Sequence, residues 1–159
     1  MGGRIWLESE VGKGSTFHFT VRFTPRMTGS IRQKIRRLET LEGRPVLVVE
    51  QNNTIRSFLE DLLGNWKMRP TPVSSADEGI SILENLPEDS EGFPLVILDL
   101  NVTAEEHLTQ TRRFRELCGE EARMIVLNSP IRPLDRDKYR DLGISSFIVK
   151  PFSDSELLD

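Results

Sequence analysis

Four apolar residues in a row, Val46 to Val49, are followed at once by Glu50 and Gln51. Beyond them a stripe at helical spacing, Ile55, Phe58, Leu59 and Leu62, stops at Gly64. A short apolar run bounded by polar residues predicts a strand buried on both faces, and the stripe predicts an amphipathic helix. The alternation repeats down the chain. Strands are predicted at Arg69 to Val73, Leu95 to Leu98, Met124 to Leu127 and Phe147 to Val149. Between them, Ser75 with Glu78 and Thr103 with Glu106 have the spacing of capping boxes that start helices, and Leu134 to Leu142 predicts another helix. After the last strand only the start of a fifth helix, "SDSELLD", follows. Continuous apolar strands separated by helices predict an α/β fold, a flavodoxin-like doubly wound five-stranded parallel sheet with its last helix truncated.

Ahead of these units, "RIWLES" and "STFHFTVRF" are rich in β-branched and aromatic residues and flank "EVGKG", whose two glycines suit a tight turn. They predict an N-terminal β-hairpin, which by itself is marginal and needs something to pack on. Pro25 ends it. Ile31, Ile35, Leu38 and Leu41 then recur at helical spacing opposite Arg32, Lys34, Arg36 and Arg37. That pattern predicts a basic amphipathic linker helix within residues 26–43. A signalling connector docked on a neighbour accounts for it more simply than a calmodulin-like or membrane target.

Composition narrows the classes. A net charge of -4 with 29% charged residues gives no electrostatic case for binding nucleic acid or an anionic membrane. No apolar run approaches the roughly 20 residues that span a bilayer, and the start lacks the pattern of a signal peptide, so a cytoplasmic location is expected. Cys118 is the only cysteine, which excludes an internal disulfide and a cysteine-built metal site. His18 and His107 lack ligand spacing and read as non-catalytic. Asn52 and Asn53 read as helix-capping residues.

In open parallel sheets, ligands sit at the carboxyl ends of the strands where the strand order reverses. The polar residues there are Glu50 and Gln51, Asp99, Asn128 and Ser129, and Lys150. An acid cluster opposite a lysine suits acyl-phosphate chemistry. Asp99 would supply a carboxylate nucleophile, a hard cation would screen the phosphoryl oxygens, and Lys150 would pair with the arriving charge. An aspartate ending an apolar strand is costly to bury without partners, which argues for use.

"VLVVEQN", "VILDLNV", "MIVLNS" and "FIVKPF" stand in the order and spacing of response-regulator receiver domains, and this resemblance covers residues 44–159. The Lys150-Pro151 pair is its most specific element. "MGGRIWLESEVGKGSTFHFTVRF" resembles the last two strands of a histidine-kinase ATP-binding domain. Together these imply three parts: residues 1–25 from the kinase domain, a linker at 26–43, and a receiver at 44–159 of a hybrid sensor histidine kinase. The ATP site and phosphorylated histidine would lie upstream, so this chain is not expected to be a kinase, and the resemblance is compatible with a membrane-associated parent. The resemblance implies Asp99 as phosphoacceptor, Lys150 and Asn128 as phosphate-binding, and Asn128 and Phe147 as the switch pair. For a magnesium ion it implies Glu50, Gln51, Asp99 and the backbone carbonyl of Asn101.

Three positions depart from the family pattern. Gln51 stands where an aspartate usually meets magnesium, so metal binding should be weak. Asn128 replaces a small hydroxyl and cannot swing inward as one does. Val102, Thr103 and His107 replace the usual residues after the acceptor, so that loop must take a different path. The expected function is a degenerate receiver that regulates or docks within its parent kinase. The alternative is a working receiver that takes phosphate on Asp99 in a phosphorelay. An unrelated enzyme on the same fold lacks support, because no glycine-rich phosphate loop is present. Expected partners are the histidine-bearing dimerisation or phosphotransfer domain, other domains of the parent, or a second copy covering apolar surface left by the short last helix.

Overall fold

Val46, Leu47, Val48 and Val49 are all buried, which an alternating strand allows only when both faces of its sheet are covered. In the computed structural model, which describes residues 2–22, 38–99, 103–129 and 135–158, they form the centre of the strand Pro45–Glu50. The chain divides into two compact units, Met1–Lys34 and Ile35–Asp159.

In the first unit, β1 (Ile5–Glu10) pairs antiparallel with β2 (Gly14–Phe19), with Ile5 opposite Phe19 and Leu7 opposite Phe17. Gly12 and Gly14 hold positive φ at the turn, a conformation side chains resist. Trp6 stacks on His18 with ring centroids 5.0 Å apart.

The second unit alternates strands and helices. Its elements are β3 (Pro45–Glu50), α1 (Asn53–Asn65), β4 (Arg69–Val73), α2 (Ala76–Glu84), β5 (Leu95–Asp99), α3 (Ala104–Cys118), β6 (Arg123–Asn128), α4 (Arg136–Arg140), β7 (Ser146–Val149) and α5 (Asp154–Leu158). All neighbouring strands are parallel, in the order β4-β3-β5-β6-β7. The flavodoxin-like sheet read from the sequence is the one observed. One face packs Leu47, Val49, Val96, Leu98, Met124 and Val126 with Val73, Leu83 and Phe114. The other packs Val46, Val48, Ile97 and Leu127 with Leu59, Leu63, Trp66 and Leu157.

Most helix starts follow their signals. The Asn52 side chain accepts from the Thr54 and Ile55 amides and caps α1. Thr103 and Glu106 form the full reciprocal box. Ser75 accepts from the Glu78 amide, but Glu78 reaches one residue further back, to the amide and hydroxyl of Ser74. Two expected endings move. Gly64 lies inside α1, and the left-handed position beyond it is Lys67, at φ 59. The helix expected to reach Leu142 ends at Arg140, because Gly143 at φ 70 turns the chain and the Ile144 amide returns to the Tyr139 carbonyl at 3.0 Å.

Gly79 is needed for its size. A Cβ there would lie 3.0 Å from the Phe114 ring and 3.2 Å from Val49 Cγ2. Gly79→Val should therefore cost about 2 kcal/mol through overpacking, read as a lower urea midpoint at unchanged slope. A variant as stable as the parent would show that α2 and α3 can part without penalty.

Within the second unit, Leu38 and Leu41 pack against the Leu157 side of the core, so part of the expected linker stripe meets the parallel sheet. Ile31 and Ile35 lie outside the described residues. A groove of about 510 Å³ remains on this face, lined among others by Leu41, Trp66, Ile125, Ile148 and Leu158.

Candidate acid pocket at the strand ends

β3 is flanked by β4 on one side and β5 on the other, so the strand order reverses there and the ends of β3 and β5 open side by side. Their register places Glu50 directly opposite Asp99. Both carboxylates are buried, at 3% and 8% exposure. The Lys150 amide donates to the Asn128 carbonyl at 2.8 Å, which ties the residue after β7 to the end of β6. From there the Lys150 ammonium reaches the Asp99 carboxylate directly and stands 3.9 Å from Glu50 Oε2.

The turn after β3 is wired through its backbone. Glu50 Oε1 accepts from the Asn52 amide at 2.7 Å, and Arg56 Nη1 donates to the carbonyls of Glu50 and Gln51 at 2.8 and 3.2 Å. Arg56, which the sequence reading did not single out, thus sets the path of the acidic turn. Gln51 is exposed and Asn128 is half-buried at the end of β6. Phe147 is half-buried in β7, edge-on to Tyr139 at 5.7 Å, with the Arg136 guanidinium 5.4 Å over its ring. Asn101 lies outside the described residues. Glu50, Asp99 and Lys150 therefore converge, while Phe147 belongs to a separate aromatic cluster.

Glu50 Oε2 is buried and has no hydrogen-bond partner if both acids are ionised, because two carboxylates cannot donate to each other. A proton on Glu50 removes the conflict. Burial, and then the hydrogen bond a protonated Glu50 makes to Asp99, push its pKa up to about 8, against the opposing pull of the Asn52 amide. Glu50 is thus neutral at pH 7. Its folded pKa lies above the ordinary 4.5, so it contributes stability in acid that is lost as the pH rises through about 8.

The pocket's fit to a divalent cation follows from these charges. With Glu50 protonated, Asp99 and the Lys150 ammonium cancel, and the neighbouring Gln51 is neutral. Among the described residues, no group of three or more His, Cys, Asp or Glu is placed to hold a metal ion. The residues fit magnesium only after Glu50 has released its proton and Lys150 has moved aside. Magnesium affinity should then increase steadily between pH 6 and pH 9, values set by the Glu50 pKa near 8. Calorimetric titration at several pH values reads this, and a flat profile would mean that Glu50 is already ionised.

The parallel sheet that carries this pocket is a fold that known proteins share. Residues 46–159 match the response regulator receiver domain family. The chain belongs to that family. The receiver and its preceding hairpin together are 26% identical over 163 residues to the autoinducer 2 sensor kinase/phosphatase LuxQ of Vibrio vulnificus strain YJ016. That match spans 99% of this chain and 18% of the relative's length. Among solved structures, the receiver resembles the receiver domain of a sensor histidine kinase from Pseudomonas aeruginosa PAO1. The TM-score is 0.57 and the identity 24%, covering 72% of this chain and 91% of that one. That structure has a magnesium ion coordinated in its active site cleft. A receiver domain from Methanospirillum hungatei JF-1 superposes with TM-score 0.60 at 19% identity, covering 74% and 89%. These likenesses establish the receiver fold.

A second polar cluster went unread in the sequence. His107 Nδ1 lies 2.8 Å from the Tyr139 hydroxyl and 3.2 Å from the Thr111 hydroxyl, and all three residues are buried. His107, Thr111 and Phe114 share one face of α3 at spacings of four and three, which marks that face as inward. No helix among the described residues is long and apolar enough to cross a membrane.

Proposed function

We propose that this chain is the receiver end of a hybrid sensor kinase and that its receiver is degenerate. It accepts phosphate on Asp99 slowly or not at all and regulates its parent through surface contacts. In this reading residues 1–25 are the last strands of the kinase ATP-binding domain, 26–43 the linker and 44–159 the receiver. The match to a sensor kinase/phosphatase along nearly the whole chain, hairpin included, supports that layout. Its partners are the histidine-bearing domain and the other domains of the parent kinase.

The observation that carries the degenerate reading is the charge of the pocket. A phosphoryl donor must bring negative oxygens up to Asp99, and a divalent cation ordinarily offsets that repulsion. Here the only cation against Asp99 among the described residues is Lys150. One ammonium on a flexible stem can hold a product oxygen but does little to align an in-line transfer. Asn128 as the phosphate-sensing residue and Phe147 as its switch partner belong to the same proposal. In the intact parent kinase, Asp99→Ala should leave signalling output nearly unchanged, while removal of residues 44–159 should alter it. Equal loss of regulation in both variants would contradict the proposal.

The working-receiver reading has one observation in its favour. Glu50, Asp99 and Lys150 are brought together as phosphoryl transfer would need.

A further inference from the structure

One peptide unit of the acidic turn is held at both ends. The Gln51 carbonyl and the Asn52 amide belong to the same planar trans unit, so they point in opposite directions. The carbonyl accepts from Arg56 Nη1 at 3.2 Å, and the amide donates to Glu50 Oε1 at 2.7 Å. The unit therefore lies between a guanidinium and a carboxyl group. Arg56 is itself secured: Nη1 also donates to the Glu50 carbonyl at 2.8 Å, Nη2 donates to Asn53 Oδ1 at 2.9 Å, and its backbone amide donates to the Asn52 carbonyl at 2.9 Å. Asn52 is fixed further by its side chain, which accepts from the Thr54 and Ile55 amides. A guanidinium keeps its charge and presents its donors in a rigid fork, which suits two carbonyls and an amide oxygen at once.

This clasp controls the direction of Glu50. With Oε1 held by the Asn52 amide, the second oxygen of the same carboxyl group, Oε2, is left 3.9 Å from the Lys150 ammonium, with Asp99 directly opposite in the strand register. We infer that Arg56 is a positioning residue for the acid pocket: it holds the outer end of the Gln51-Asn52 peptide, so that the inner end grips Glu50 and keeps its carboxyl group turned toward Asp99 and Lys150. Hydrogen bonds in series polarise one another, so the peptide passes the pull of the guanidinium on to the carboxyl oxygen. Glu50 is buried, and without the Asn52 amide its carboxyl group must turn to find another partner. A cation entering the pocket needs Glu50 presented to it, so Arg56 favours cation binding even though it is itself a cation. The assignment concerns the shape of the pocket and holds whether or not Asp99 accepts phosphate.

The test uses the full chain. Arg56→Met removes the fork, and the Asn52 amide should then exchange with solvent about tenfold faster, the change expected for loss of one hydrogen bond. Amides of α3, which packs on the opposite face of the sheet from α1, should keep their rates. Magnesium supplies a second readout, taken in the Gln51→Asp background at one fixed pH. Adding Arg56→Met there should weaken magnesium binding by about tenfold, the usual effect of losing a residue that orients a ligand. Charge alone predicts the reverse, because deleting a nearby cation favours a bound cation. Arg56→Lys keeps the charge without the fork, so it should move both readouts in the same direction, and it replaces the methionine variant should that one fail to fold. Unchanged Asn52 exchange in a folded Arg56 variant, magnesium binding that tightens, or a lysine variant indistinguishable from the parent would overturn the assignment. If Gln51→Asp itself gains no magnesium affinity, the account of the pocket's charge fails, and the Asn52 exchange rate still decides the role of Arg56.

Discussion

Gln51→Asp should tighten magnesium binding by at least about tenfold at neutral pH, or roughly 1.4 kcal/mol. Magnesium gives up its water reluctantly and is held chiefly by carboxylate charge. In the unmodified receiver, Glu50 keeps its proton to about pH 8 and Lys150 neutralises Asp99. The exposed Gln51 side chain adds a dipole but no charge. An aspartate there places a full negative charge at the mouth of the pocket without disturbing the core. Glu50 Oε1 remains held by the Asn52 amide and Arg56 still braces the turn. The variant should also react faster with a phosphodonor. Equal magnesium affinity in the parent and the variant, measured by calorimetry, would show that Gln51 is not what weakens the site.

Lys150→Met should destabilise the receiver by about 2 to 4 kcal/mol at pH 8 and by much less at pH 5. Removing one partner of a buried ion pair leaves an uncompensated charge, a loss that reaches about 3 to 5 kcal/mol when the pair is fully enclosed. The Lys150 side chain is 23% exposed, so solvent screening brings the expected loss about 1 kcal/mol below that range. The pH dependence follows from the two acids. Without the ammonium, Glu50 faces Asp99 across adjacent strand ends and loses the pull of Lys150 that lowers its pKa, so its proton is held more tightly. Protons taken up in acid relieve the repulsion, so the gap between variant and parent widens as the pH increases. Urea unfolding at the two pH values reads it. A difference independent of pH would mean that Lys150 acts by packing alone.

The sheet and the acid pocket were legible in the sequence for the same reason. A strand buried on both faces must be apolar throughout, so Val46 to Val49 declares itself, and the polar residue that ends such a run must lie at the rim. Glu50, Asp99 and Lys150 follow directly. The state of the pocket was not legible, because it depends on which charges meet. That Lys150 lies against Asp99, and that Glu50 Oε2 is then left to hold a proton, emerge only from the register of β3 on β5 and the reach of the lysine. The buried His107–Tyr139 pair was missed for a related reason. His107 was judged by ligand spacing along the chain, whereas its partner Tyr139 arrives from another helix. The spacing of His107, Thr111 and Phe114 was a usable signal that the imidazole points inward. Helix ends were displaced where a turn elsewhere decided them, as Gly143 does for α4.

The degenerate reading stands or falls on the chemistry of Asp99. The most direct measurement mixes the chain with a phosphorylated histidine domain and magnesium at neutral pH and follows the phosphoryl group by intact mass over time. The account predicts a chain whose mass is unchanged, or changes only in a small fraction over hours, with Gln51→Asp reacting faster. Rapid, stoichiometric gain of one phosphoryl group by the unmodified chain, abolished by Asp99→Ala, would contradict it and make this a working receiver.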